Sequence, residues 1–254
     1  MPSVAWLTIA PVKGLGLVAR DQVALEPFGV ADNRRFYLVD ENGRKLNQKD
    51  CGEIVQVRPD WDPGGNRLSL AFPDGSTAAG EVEPGEPIAT DFFGRAVHGH
   101  LLEGPWSDAL SRWLGRSLRL AITDEPGAGV DRGRGAVTML STASLSALAA
   151  ATGEDAVDPR RFRMLIGIDG VHAHEEDEWV GRRVRVGEAV VLPRGNVGRC
   201  AVTTQNPETG GRDLDTLRSI RSYRKDGTEP IPFGVYGEVV ESGRVRLGDL
   251  VQPA

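Results

Sequence analysis

Turn-forming residues interrupt this chain at short intervals, and that spacing restricts it to a fold of many short strands. Phe36-Tyr37-Leu38-Val39 runs into Asp40-Glu41-Asn42-Gly43, whose Asn-Gly pair signals a hairpin because both residues tolerate positive φ. Leu68, Leu70 and Phe72 alternate with small or polar residues before Pro73-Asp74-Gly75 turns the chain. Val184 and Val186 precede Val190-Val191-Leu192 across a turn at Gly187-Glu188, and Val245 and Leu247 end at Gly248-Asp249. Residues 79–87, rich in Gly, Pro and Glu, read as a loop, and Ile54-Val55-Gln56-Val57 reads as strand-like.

Helical periodicity is confined to three places. Trp106, Leu110, Trp113 and Leu114 share one face before Gly115. A second helix runs through Ser144-Leu145-Ser146-Ala147-Leu148 and ends near Gly153, and a third aligns Leu214, Leu217 and Ile220. Many short strands with few helices predict an α+β, β-rich protein dominated by barrel-like sheet.

The 254 residues carry a formal net charge of -6 and a pI near 5.4, which argues against a general nucleic-acid partner. Clustered arginines still suit small anions. Two cysteines, Cys51 and Cys200, make no disulfide framework, no apolar run reaches membrane-spanning length and no signal peptide is seen. These features predict a cytoplasmic protein with no membrane partner.

Cys200 lies in Gly195-Asn196-Val197-Gly198-Arg199-Cys200-Ala201-Val202-Thr203-Thr204, between a glycine-rich turn and further apolar sequence. A neighbouring cation favours the thiolate, the form that attacks electrophiles or ligates soft metals. The competing reading is a small buried hydrophobe. Cys51, beside no comparable motif, reads as structural.

A series of motifs resembles the MOSC family, named for the C-terminal part of molybdenum-cofactor sulfurases. Pro11-Val12-Lys13-Gly14 is similar to the Pro-Val-Lys-Ser motif of that family's N-terminal β-barrel domain, and Asn33-Arg34-Arg35-Phe36 to its Asp-Arg-x-(Trp/Phe) motif. Ser141-Thr142-Ala143-Ser144-Leu145, Arg161-Phe162-Arg163, Glu176-Asp177-Glu178-Trp179 and Val186-Gly187 follow in the family's order. So do the cysteine motif from Arg199-Cys200 to Gly210, then Phe233-Gly234-Val235-Tyr236 and Val245-Arg246-Leu247-Gly248-Asp249. The resemblance implies a MOSC N-terminal β-barrel-like domain over 1–105 and a MOSC β-barrel domain over 106–254.

It further implies that Cys200 binds molybdenum in a pterin-dithiolene cofactor (the molybdenum cofactor), completing a sulfur-rich ligand set. Lys13, Arg34 and Arg163 are the implied contacts to the cofactor's phosphate and pterin. Arg35 is an alternative to Arg34 because the register of the pair is ambiguous; Arg199 stands beside the metal ligand and Tyr236 near the substrate. The bland alternatives are ion-pairing for the arginines and a core position for Tyr236. Two residues depart from the family pattern: Gly14 replaces a serine, and Met164-Leu165 replaces Pro-Asn, removing a hydroxyl and an amide.

The implied activity is that of an oxidoreductase acting on a small-molecule substrate, an N-hydroxylated compound or a related N- or S-oxide. Electrons would come from a separate donor protein, since the chain has no cysteine cluster. Pyridoxal phosphate, which serves the separate desulfurase domain of the sulfurases, is not expected. The rival expectation is a non-redox sulfur carrier or cofactor-delivery protein using Cys200 as persulfide or ligand.

Two other signals compete. His98 and His100, and His172 and His174, form His-x-His pairs, and with Glu178 the second resembles the first metal motif of cupins. The second cupin motif lacks its last ligand, having Gly198 there, so the histidines read as surface residues. Residues 127–135, with Arg132 and Arg134, suggest a phosphate loop near the site but lack the Gly-Lys-Ser/Thr ending of a P-loop.

Overall fold

The computed structural model describes residues 1–131, 136–224 and 226–253. Its largest sheet has eight strands, in the order Val251–Pro253, Val184–Val186, Ala189–Gly198, Pro232–Glu241, Val137–Ser141, Ile166–Asp169, Ser3–Ile9 and Val18–Ala19. The sheet curls into a half-barrel. Pairing is antiparallel except between Val137–Ser141 and Ile166–Asp169, which run parallel with Met139 opposite Ile166. Parallel neighbours need a crossover, supplied here by the helix Thr142–Thr152. A second sheet orders Lys45–Leu46, Phe36–Val39, Arg119–Thr123, Ala96–Glu103 and Glu83–Asp91. The turns at Asn42-Gly43, Pro73-Asp74-Gly75 and Gly187-Glu188 all connect antiparallel strands. The protein is α+β and β-rich.

Helices α1 (Trp106–Leu114) and α3 (Thr216–Tyr223) follow the periodicity of their apolar residues, whereas α2 (Thr142–Thr152) is apolar and Ala-rich on most sides. Gly115 and Gly153 end α1 and α2 in the left-handed conformation, which glycine adopts without Cβ strain. Leu214 lies just before α3, because the Asp215 side chain accepts from the Arg218 amide and starts the helix there.

Leu7, Ile9, Met139, Ile166, Trp179, Val191 and Val235 pack into one core beside the large sheet. Phe36, Leu38, Ile54, Leu68, Leu70, Trp106 and Leu120 form another in the N-terminal half. A third joins α2 and α3 through Leu145, Leu148, Phe162, Ile220 and Phe233.

Two expectations are corrected. Residues 79–87 are not a loop: Thr77–Glu81 and Glu83–Asp91 are strands. The latter is an edge strand, where the missing amides of Pro84 and Pro87 disrupt no inner ladder and a polar surface is tolerated. Ile54 to Gln56 belong to a 3₁₀ turn, Gly52–Gln56, which buries the adjacent residues Ile54 and Val55 together. A strand would point adjacent side chains to opposite faces.

The two halves of the chain are interleaved. Ser3–Ile9 pairs with Ile166–Asp169, and Gln22–Leu25 with Gly243–Arg246. Gln205 Nε2 donates to Gln48 O at 2.9 Å, and Gln56 Nε2 to Thr209 O at 3.1 Å. Gly52 and Gly210 meet backbone to backbone: a Cβ on Gly52 would lie 2.2 Å from Gly210 O. Gly52→Ala is therefore expected to cost about 1–3 kcal/mol, read as a lower midpoint in denaturant unfolding.

Candidate functional site

The motifs at residues 11–14 and 33–36 are one local structure. Lys13 N donates to Phe36 O at 2.8 Å, Phe36 N to Pro11 O at 3.0 Å and Arg34 N to Ala10 O at 2.7 Å. Asn33, 2% exposed, accepts from Ala10 N through Oδ1 at 3.0 Å. This stitching brings Lys13 and Arg34 together on one wall of a cavity of about 450 Å³. Arg163, turned by a positive φ of 52°, joins them from the opposite half and donates to Leu15 O at 2.8 Å.

Lys13, Arg34 and Arg163 form an anion cradle, and an internal anion already sits in it. Asp131 pairs with the Lys13 ammonium. Burial alone would raise the Asp131 carboxyl, but Lys13, Arg34 and Arg163 hold it down at about 2. Burial lowers Lys13, against the pull of Asp131 and with the push of Arg34 and Arg163. Arg163 falls to about 9 through burial, reinforced by repulsion from Arg34. Three cations facing one cavity repel one another and hold a place for negative charge.

Cys200 lies on the same cavity wall with Phe162, Met164 and Arg199. It is half-buried and opens the short helical turn Ala201–Thr204, with its carbonyl accepting from Thr203 N and Thr203 Oγ1, both at 3.1 Å. Arg199 holds its guanidinium against backbone: Nε donates to Phe233 O at 2.8 Å and Nη1 to Phe162 O at 3.1 Å. Its Nη2 also reaches Met164 Sδ at 2.9 Å, and the group lies 5.2 Å from the Phe162 ring centre. Arg199 thus builds the wall next to the thiol.

The structure brings Lys13, Arg34, Arg163, Arg199 and Cys200 to one cavity. It leaves Arg35 elsewhere: its Nη1 donates to Thr123 Oγ1 at 3.2 Å. The positive φ of 56° at Arg34 turns the chain so that the two neighbours diverge, and of the pair only Arg34 lines the cavity. Tyr236 is half-buried in the strand Pro232–Glu241, opposite Thr138 and Gly195, and lies outside the residues lining the cavity. Cys51 packs partly buried against the N-terminal core.

Both departures from the motif pattern have local reasons. Gly14 has φ of 90°, and a Cβ there would come within 2.8 Å of Ile54 Cδ1, so a serine would be strained. Leu165 faces the core at 2% exposure and does not line the cavity. Its amide donates to Thr138 Oγ1, and Thr138 does line it.

Two further residues lining the cavity were not singled out by the sequence reading. Arg161 makes a fork to Asp213 at 2.6 and 2.8 Å and donates to Gln205 O at 2.9 Å, bracing the segment that follows Cys200. Its place in Arg161-Phe162-Arg163 was the available signal. Asp131 falls within residues 127–135, which were placed near the site, but its pairing with Lys13 had no signal because the two are distant in sequence. Other motif residues prove to be scaffold. Glu176, fully buried, accepts from Ser141 N at 3.2 Å and Ser144 Oγ at 2.8 Å, and burial raises its carboxyl. Asp177 accepts from Asn196 Nδ2 at 2.7 Å and pairs with Arg224.

His172 and His174 lie in the turn before the 3₁₀ segment Glu175–Trp179 rather than on a strand, so the cupin-like spacing does not place them on one face. His174 packs against Tyr223 and Phe233, and burial together with Arg224 lowers it to about 4. His98 and His100 share one side of Ala96–Glu103, with His100 Nδ1 2.9 Å from Asp124. Of the candidate phosphate loop, Arg132 and Arg134 lie outside the described residues.

A curled sheet, an interlocked N-terminal unit and a thiol sharing one cavity with three cations characterise this β-rich chain. The MOSC domain matches residues 103–252 and the MOSC N-terminal beta barrel domain residues 1–120; the chain belongs to the MOSC family. Mitochondrial amidoxime-reducing component 1 of Xenopus laevis is 36% identical over 123 residues, 45% of this chain and 35% of that protein. Molybdenum cofactor sulfurase of Anopheles gambiae is 27% identical over 270 residues, 92% of this chain and 34% of that protein. The chain thus spans about a third of the length of these curated relatives. Among solved structures, the YuaD protein of Bacillus subtilis aligns at 12% identity and TM-score 0.48, over 99% of this chain and 94% of that one.

Two outcomes are expected. Asp131→Asn removes the internal competitor and should tighten inorganic phosphate binding several-fold, measured by ligand-observed NMR, whereas Lys13→Ala should weaken it. His174, depressed in the folded state, stays neutral while the unfolded chain takes up a proton below its ordinary value near 6.5. Its contribution is therefore lost as pH falls from about 6.5 to about 4, and His174→Gln should flatten the fall in stability across that window in denaturant titrations.

Proposed function

We propose that this protein binds a molybdenum–pterin cofactor in the cavity, with Cys200 as the protein ligand to the metal. We further propose that it is an oxidoreductase acting on N-hydroxylated compounds or related N- or S-oxides. The observation that carries the reading is a single thiol and an anion cradle on the walls of one cavity. Among the described residues, no group of three or more His, Cys, Asp or Glu side chains could hold a metal. A metal held at Cys200 must therefore bring most of its own donors. A cofactor with dithiolene sulfurs and a phosphate does so, and asks the protein for one soft ligand and a few cations.

When bound, such a group would supply two-electron oxygen-atom-transfer chemistry. The chain's own residues bind and orient. Lys13, Arg34 and Arg163 hold the phosphate once Asp131 withdraws its carboxylate. Thr203 fixes the backbone that presents the Cys200 thiol, and Arg161 braces the segment behind it. Arg199, over the Phe162 ring, forms the wall beside that thiol. In this reading a separate donor protein returns the electrons.

The second reading is cofactor sulfuration or delivery, with Cys200 as sulfur carrier or transient ligand. It is favoured by the extent of the sulfurase alignments, which cover 92% of this chain in the mosquito protein and 96% in that of Caenorhabditis briggsae. The residues at Gly14 and Leu165 no longer add to it, since one answers to backbone strain and the other to the core.

Elemental analysis and a released-pterin fluorescence assay test both readings on protein made in a cofactor-competent host. The oxidoreductase reading expects near-stoichiometric molybdenum and pterin in the wild type, at least a tenfold loss of metal in Cys200→Ser and retention in Cys51→Ser. Equal metal in wild type and Cys200→Ser removes the ligand assignment. Metal-free protein that accepts sulfur at Cys200 establishes the carrier instead.

A further inference from the structure

The turn joining the strands Glu83–Asp91 and Ala96–Glu103 breaks a local rule. Phe92 and Arg95 exchange backbone hydrogen bonds at 2.7 and 3.3 Å, and the two residues between them, Phe93 and Gly94, have φ of 58° and 82°. Positive φ at both central positions is the requirement of a type I′ hairpin turn, which favours Asn-Gly. A bulky aromatic at the first of them is an outlier. Phe93 is also 62% exposed, so core packing does not explain it. Backbone outliers that packing does not require concentrate at functional positions.

Phe93 lines the same cavity as the anion cradle, with the Lys13 ammonium 5.9 Å from its ring centre. The ring is held in place. Lys45 Nζ sits 4.5 Å from the ring centre and donates to Asp91 O at 2.7 Å, fixing the base of the turn. Arg95, on the far side of the turn, donates to Ala128 O and Val130 O, both at 2.7 Å, and so grips the segment that delivers Asp131 to the cradle. One hairpin tip thus presents a pinned aromatic face beside the phosphate position and anchors the internal anion that occupies it.

We infer that Phe93 is a specificity-determining residue, a stacking platform for a flat ring carried by the phosphate ester bound at Lys13, Arg34 and Arg163. The inference rests on the anion cradle of the proposed function, and it deepens that reading by favouring phosphate esters that carry a flat ring over purely aliphatic ones. Binding is non-covalent: the phosphate meets the cations and the adjoining ring meets the exposed face of Phe93.

Ligand-observed NMR titrations of phenyl phosphate and methyl phosphate against the full chain and Phe93→Asn test it. The substitution installs the preferred Asn-Gly turn, so the variant should melt at the same temperature as the wild type or higher. The wild type should bind phenyl phosphate about threefold to tenfold more tightly than methyl phosphate. Phe93→Asn should erase that preference, the loss of affinity falling mainly on phenyl phosphate. Equal affinity of the wild type for the two esters, or a preference that survives in Phe93→Asn, overturns the role of Phe93 and leaves the cradle standing. Failure of Asp131→Asn, in which the internal competitor is gone, to bind either ester overturns the cradle and the inference with it.

Discussion

Everything at the candidate site depends on the docking of the segment after Cys200 onto residues 47–56 of the other half of the chain. The Gly52 and Gly210 backbones touch where no side chain fits, and Gln205 and Gln56 add hydrogen bonds on either side. Arg161 secures the same segment from within through Asp213 and the Gln205 carbonyl. The thiol comes from this segment, while Lys13 and Arg34 come from the first forty residues. Neither half alone contains both ends of the cavity.

That dependence accounts for the interleaving of the sheets. A strand from the first ten residues completes the sheet of the C-terminal half, and a short pair joins Gln22–Leu25 to Gly243–Arg246. Such long-range pairing costs loop-closure entropy during folding. In return it fixes the relative position of two walls that must meet one ligand, and preorganised walls lose less entropy on binding.

Much of this was legible in the sequence, because turns and periodic apolar residues act locally. Gly43, Gly115, Gly153 and Gly187 all take positive φ at the ends or bends expected of them. Cys200, Lys13, Arg34 and Arg163 were found through ordered motifs, and the structure gathers them in one cavity. The errors arose where local composition misleads: prolines suggested a loop in residues 79–87 but sit on an edge strand, and β-branched residues after Gly52 wind into a 3₁₀ turn. Arg34 could not be separated from Arg35 without the backbone turn between them. The roles of Asp131 and Phe93 were invisible for a different reason, since each acquires its meaning from Lys13, which lies far away in the chain.

The carboxylate of Asp131 has a consequence for discrimination among ligands. Because it is tethered beside the cations, any incoming anion competes with an opponent whose effective concentration never dilutes away. A small free anion engages the cations alone and has little with which to prevail. A longer molecule that also grips the opposite wall gains a second attachment, and the cost of expelling the resident charge is then shared between two contacts. One resident carboxylate offsets only part of the charge of three cations, so the pocket stays net positive while favouring a guest that spans more of its length.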